Sequence, residues 1–223
     1  MLTSRLSLFA AVALCAASAA SAQSLLTTLN GATQVTDFSA ACATGSANGH
    51  FCFGSGPREV GKNGFVVTYT ASAGSAVIGD GFYGLDGNGD WEGIFYAGTN
   101  SSADRVRFTF QTPVWKVGGI INYSPIDGPP IVRAYDALGT LIGSYDLSLL
   151  APIATTGLNQ GAFRGIESTG NNIAAFEIAG AYLATQNLSA VRANNVVTPE
   201  PASLLLCGAG LVAVAALRRR HRR

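Results

Sequence analysis

The chain has 223 residues, of which 48% are hydrophobic and only 12% charged, and its formal net charge is +1. That charge is unevenly placed: residues 23–198 hold eight basic and twelve acidic side chains, a net of −4 that the terminal arginines mask. No basic stripe is present there to neutralise phosphates, which excludes nucleic-acid binding as its task.

Residues 1–22 read as a secretory signal peptide. Arg5 supplies the charged start, 6–17 the apolar stretch, and Ala20, Ser21 and Ala22 a small-residue cleavage site before Gln23. Leu14 stands before Cys15 where a lipoprotein signal needs a small residue, so Cys15 belongs to the apolar stretch. An exported chain folds in an oxidising compartment, and Cys42 and Cys52 are then expected to pair as a disulfide. The bond restrains residues 43–51, a segment rich in glycine, serine and asparagine. Metal binding with His50 as a third ligand is the alternative, but the spacing matches no zinc pattern.

Asp86, Asn88 and Asp90 put side-chain oxygens at alternate positions, as a calcium loop does. Trp91 occupies the position where an EF-hand needs glycine, and Ala97 the position of its bidentate glutamate. A surface turn is the preferred reading, because Asp-Gly and Asn-Gly favour turns. A structural calcium ion on Asp86, Asn88 and Asp90 is the alternative, and no other cofactor is expected. Trp91 and Trp115, with Tyr83 and Tyr96, offer faces on which sugar rings stack, though such aromatics more often fill β-protein cores.

The remaining elements are strands. Residues 65–70 alternate Phe65, Val67 and Tyr69 on one face, and 105–110 turn Val106, Phe108 and Phe110 inward with Arg105, Arg107 and Thr109 outward. Residues 114–121 form a further strand. Residues 131–135 and 140–145 make a hairpin whose turn opens with Asp136 and closes with Gly139. Segments 163–166, 173–178 and 188–192 close the domain. No stretch before 196 has the periodicity of an amphipathic helix. Many short strands with turns between them predict an all-β fold, a single antiparallel sandwich over 23–195.

Catalytic signatures are absent from the sequence. There is no Gly-x-Ser-x-Gly elbow and no His-Glu-x-x-His, and His50 is the sole histidine between the terminal signals. Asp90 and Glu92 have a spacing that serves a glycosidase pair, but among twelve carboxylates it arises by chance. The chain is therefore expected not to be an enzyme.

Residues 196–223 form the last unit. Pro199 and Pro201 forbid helix around Glu200 and hold the segment extended. Residues 202–217 are apolar except for Ser203 and Cys207. At about 1.5 Å per residue they make a transmembrane helix of roughly 24 Å, short of the ~30 Å hydrocarbon core but able to cross it by arginine snorkelling and local thinning of the bilayer. Arg218, Arg219, Arg220, Arg222 and Arg223 then fix its orientation, with the basic end inside. The three ordered parts resemble the PEP-CTERM sorting domain of Gram-negative bacteria that make extracellular polysaccharide.

That resemblance implies recognition of Pro199, Glu200 and Pro201 by exosortase, a membrane transpeptidase-like enzyme that removes the helix. It implies transient anchoring in the inner membrane, then delivery to the cell surface or outside. The strand order over roughly 100–192 also resembles the jelly-roll-like passengers common among PEP-CTERM proteins. The expected role is that of a structural or adhesive protein. A calcium-aided module binding extracellular polysaccharide is the alternative, and a secreted glycan hydrolase comes third.

Overall fold

The computed structural model describes residues 23–42, 51–79, 83–91, 95–150, 156–170 and 172–192. The expected signal peptide, the Pro-Glu-Pro segment, the apolar run 202–217 and the arginine tail lie outside these residues. Among the described residues no helix is long and apolar enough to cross a membrane.

The chain order opens with β1 (Gln23–Leu26), β2 (Thr33–Gln34) and the short helix α1 (Phe38–Cys42). Asp37 caps α1, its Oδ1 accepting from the Ala40 N–H at 3.0 Å and the Ser39 hydroxyl at 2.6 Å. Next come β3 (Phe51–Phe53), β4 (Arg58–Glu59), β5 (Val67–Ala71) and β6 (Ala76–Ile78). Strands β7 (Tyr83–Gly84) and β8 (Asp90–Trp91) form a separate two-stranded ribbon, followed by β9 (Tyr96–Gly98).

Strand β10 (Arg105–Tyr123) runs for 19 residues, so the two expected strands 105–110 and 114–121 are one. After it come β11 (Ile131–Tyr135), β12 (Leu141–Asp146), β13 (Ala162–Ser168), β14 (Ile173–Ala179), β15 (Leu183–Thr185) and β16 (Ser189–Arg192). All ladders between these strands are antiparallel, as the alternating pattern predicts, and fourteen of the strands join one sheet.

Strand β10 organises the sheet. Its first half pairs β5 on one side and β14 on the other, and the β14 edge continues through β11 to β12. The register shifts between Thr109 and Val114. Beyond that point the strand pairs β13 on one side and β16, then β15, on the other. Val106, Phe108 and Phe110 are buried as their alternation requires, and they join Tyr69, Phe176, Ile178 and Ile121 in the main core. Each such side chain contributes about 1.5–3 kcal/mol by leaving water. In the β11–β12 hairpin, Gly139 sits at φ +78° and the Asp136 carboxylate accepts from the Leu138 and Thr140 N–H groups. The turn residues therefore act as their sequence suggests.

The disulfide Cys42–Cys52 is formed, with an S–S distance of 2.02 Å. It ties the end of α1 to β3, and both cysteines are buried.

Candidate functional site

The most chemically distinctive surface is an open concavity of about 410 Å³ on the outer face of β5, β10, β14 and β11. Its construction follows from strand alternation. Val106 and Phe108 point into the core, so Arg105 and Arg107 must point out; Val132 and Ala134 are buried, so Arg133 and Tyr135 must point out. Cross-strand register then aligns them. Arg107 lies opposite Glu177 on β14, and Arg133 lies opposite the same Glu177 from β11.

Glu177 is 1% exposed and would be costly to bury without partners. Both its oxygens are occupied. Oε2 receives Arg107 through Nε at 2.9 Å and Nη2 at 2.7 Å, and Oε1 receives Arg133 Nη1 and the Tyr135 hydroxyl, each at 3.0 Å. The Arg107 guanidinium also stacks 4.1 Å from the centre of the Tyr135 ring. One carboxylate thus holds two guanidiniums side by side with about a third of each side chain exposed. Ser72 stands at the rim, donating to Asp104 Oδ1 at 2.8 Å. Burial alone would raise the Asp104 carboxyl, but hydrogen bonds from Ser72, the Asn100 N–H and Ser101 hold it below the ordinary range.

The three residues of the calcium alternative differ in exposure. Asp86 is exposed, Asp90 is half-buried, and Asn88 is fully buried. Gly87 and Gly89 flank Asn88 at φ +76° and +68°, a backbone that turns its side chain inward. There its Nδ2 donates to Asn122 Oδ1 at 3.0 Å and to the Tyr123 carbonyl at 2.7 Å, while its Oδ1 accepts from Asn159 Nδ2 at 2.7 Å. Asn122 in turn donates to the Asn159 carbonyl at 3.0 Å. Three asparagines therefore fasten the 85–90 turn, the end of β10 and the 158–161 segment together. A calcium ion on Asp86 and Asp90 would have to do without the Asn88 carboxamide. Among the described residues no group of three His, Cys, Asp or Glu could hold a metal.

Two of the four aromatics fill a core, as β-protein aromatics more often do. Trp91 and Tyr96 are buried and pack 6.0 Å apart in a second small core with Leu85 and Ala184. Burial pushes the Tyr96 phenol up to about 12. Trp115 is half-buried under Lys116, whose Nζ stands 4.0 Å from its ring centre. The Tyr83 side chain, His50 and Glu92 lie outside the described residues, as do Pro199, Glu200, Pro201 and the five terminal arginines.

A family model for the PEP-CTERM protein-sorting motif matches residues 197–220. No curated protein matches the chain. Among solved structures, the enzymatically active domain of bacteriophage CBA120 tailspike protein 4 is similar at 14% identity, over 60% of this chain and 20% of that one. Its TM-score is 0.28, too slight to bear on fold or activity, and the chain spans only a fifth of that structure's length. The motif that residues 197–220 match is the one expected from the Pro-Glu-Pro segment, apolar run and arginine cluster; the chain carries the PEP-CTERM sorting signal, which implies export and exosortase as its processing partner.

Proposed function

We propose that the folded part of this chain is a structural or adhesive, non-enzymatic protein of the cell surface or extracellular matrix. The observation that carries the reading is the sorting motif at 197–220 appended to a sheet-rich passenger. Exosortase removes the tail after the apolar run has held the chain briefly in the inner membrane. The two halves of the sheet joined by β10 form the layers of a jelly-roll-like sandwich; support comes from the single main core, which draws Phe108 and Phe176 from one half and Ile121 and Ile166 from the other. Support for a non-catalytic role comes from Glu177, the carboxylate of the concave face, whose two oxygens are fully engaged by Arg107, Arg133 and Tyr135.

Deleting the gene in its own host tests the role. The surface matrix is expected to lose cohesion, and polysaccharide incubated with the purified protein is expected to gain no new reducing ends. An unchanged matrix would contradict this reading, and release of reducing ends would replace it with the hydrolase.

A further inference from the structure

We propose that the face built by Arg105, Arg107 and Arg133 binds a polysaccharide bearing carboxylate groups. This inference rests on the surface role above and names the ligand class for it. The charge distribution carries it first. Residues 23–198 are net negative, yet three of their eight basic side chains line one concavity, against the single carboxylate of Glu177. That face is a positive island on an acidic body, and charge complementarity selects an anion.

Geometry narrows the anion. A guanidinium carries five N–H donors in a planar fork that matches a carboxylate. Arg107 directs two nitrogens at Glu177 and Arg133 directs one, so both retain outward donors. Arg105 is exposed and its side chain has no partner among the described residues. Glu177 acts here as a positioning residue: it fixes two forks in the orientation that a second carboxylate, arriving from solvent, can use. The rest of the polar lining is hydroxyl, from Thr70, Ser72 and Tyr135; Ser72 and Tyr135 donate to Asp104 and Glu177, which leaves their oxygens as acceptors for sugar hydroxyls. The site extends, because Arg133 also lines an adjoining concavity of about 170 Å³ beside Gly128, Pro129 and Gly180. The Arg107 and Arg133 guanidiniums converge on Glu177, whereas Arg105 is set roughly 7 Å along β10 from Arg107 and the Gly128–Gly180 concavity adjoins Arg133. One small anion serves the converged pair; a chain of charged sugars reaches Arg105 and the adjoining concavity as well.

The test is affinity electrophoresis of the processed protein through gels containing polygalacturonate, dextran sulfate or neutral dextran. Polygalacturonate is expected to retard the protein, less so as salt rises, and neutral dextran is expected not to. Arg105→Gln, a change at an exposed side chain that puts no fold at risk, should weaken retardation about tenfold. Arg133→Gln should do the same, with a melting curve taken to verify its fold, and Arg133→Lys should recover part of the loss. Retardation by dextran sulfate alone, or equal retardation of parent and Arg105→Gln, overturns the proposal. Either result leaves exosortase-dependent delivery and matrix cohesion untouched, so the two readings fail separately.

Discussion

Gly118 of β10 and Gly165 of β13 face each other across the ladder with no space for a side chain on either. A Cβ on Gly118 would stand 2.6 Å from the Gly165 Cα, and one on Gly165 would stand 3.0 Å from the Gly118 Cα. The close approach brings the second half of β10 flush against β13. Gly118→Ala should destabilise the fold by about 1–3 kcal/mol through overpacking, lowering Tm by roughly 2–4 °C per kcal/mol. Gly54, whose added Cβ would meet only Phe51 at 3.6 Å, is the control. Gly54→Ala should stay within about 0.5 kcal/mol of the parent, and equal losses at both positions would contradict the close-packing account.

Asn88 separates a structural turn from a calcium loop. Asn88→Asp replaces the donor that serves Asn122 and the Tyr123 carbonyl with an acceptor-only group in a buried place. A loss of about 2–3 kcal/mol is expected, with no gain in calcium affinity by calorimetry. A variant that binds calcium more tightly than the parent, at unchanged stability, would show that residue 88 is a ligand.

The disulfide should matter in proportion to the loop it closes. A closed loop of about ten residues implies a stabilisation of about 2–3 kcal/mol. Replacing Cys42 and Cys52 together by alanine, or reducing the parent, should lower Tm by roughly 4–12 °C. A variant that melts with the parent would mean that the α1–β3 connection is held by packing alone.

Acid should loosen the cap of α1. Hydrogen bonds from Lys62, from the Ser39 hydroxyl and from the Ala40 N–H lower the Asp37 carboxyl from 3.8 to about 2. Because the folded value lies below the unfolded one, this stabilisation is complete above about pH 4 and is lost as pH falls towards 2. Asp37→Asn keeps a capping oxygen but not the charge. The Tm gap between parent and Asp37→Asn should be open at pH 6 and closed at pH 2, and a gap constant across that range would contradict the assignment.

Strand alternation was legible because each strand carries its own period. Val106, Phe108 and Phe110 declare their face without help, and the Asp136–Gly139 turn declares its hairpin. The length of β10 was not legible, since Gln111, Thr112 and Pro113 interrupt the apolar pattern where the strand changes partners. The arginine face was harder still. Glu177 meets Arg107 and Arg133 across sequence separations of 70 and 44 residues, and only the register of β14 brings them together. The one local signal was a lone glutamate in the apolar run of β14, a charge that needs partners. The inward direction of Asn88 was not legible, because side-chain spacing says nothing about backbone sign, and Gly87 and Gly89 flank it at positive φ.

The central claim is that the C-terminal signal is an address removed on delivery. Intact mass measurement of the protein recovered outside the cell, from the parent and from a strain lacking exosortase, tests it most directly. The parent's protein should begin at Gln23 and end near Pro199, Glu200 and Pro201, without the apolar run and the terminal arginines. The strain lacking exosortase should retain the chain through Arg223 in its membrane fraction. Extracellular protein that still carries Arg218 to Arg223, or identical products in the two strains, would contradict the account.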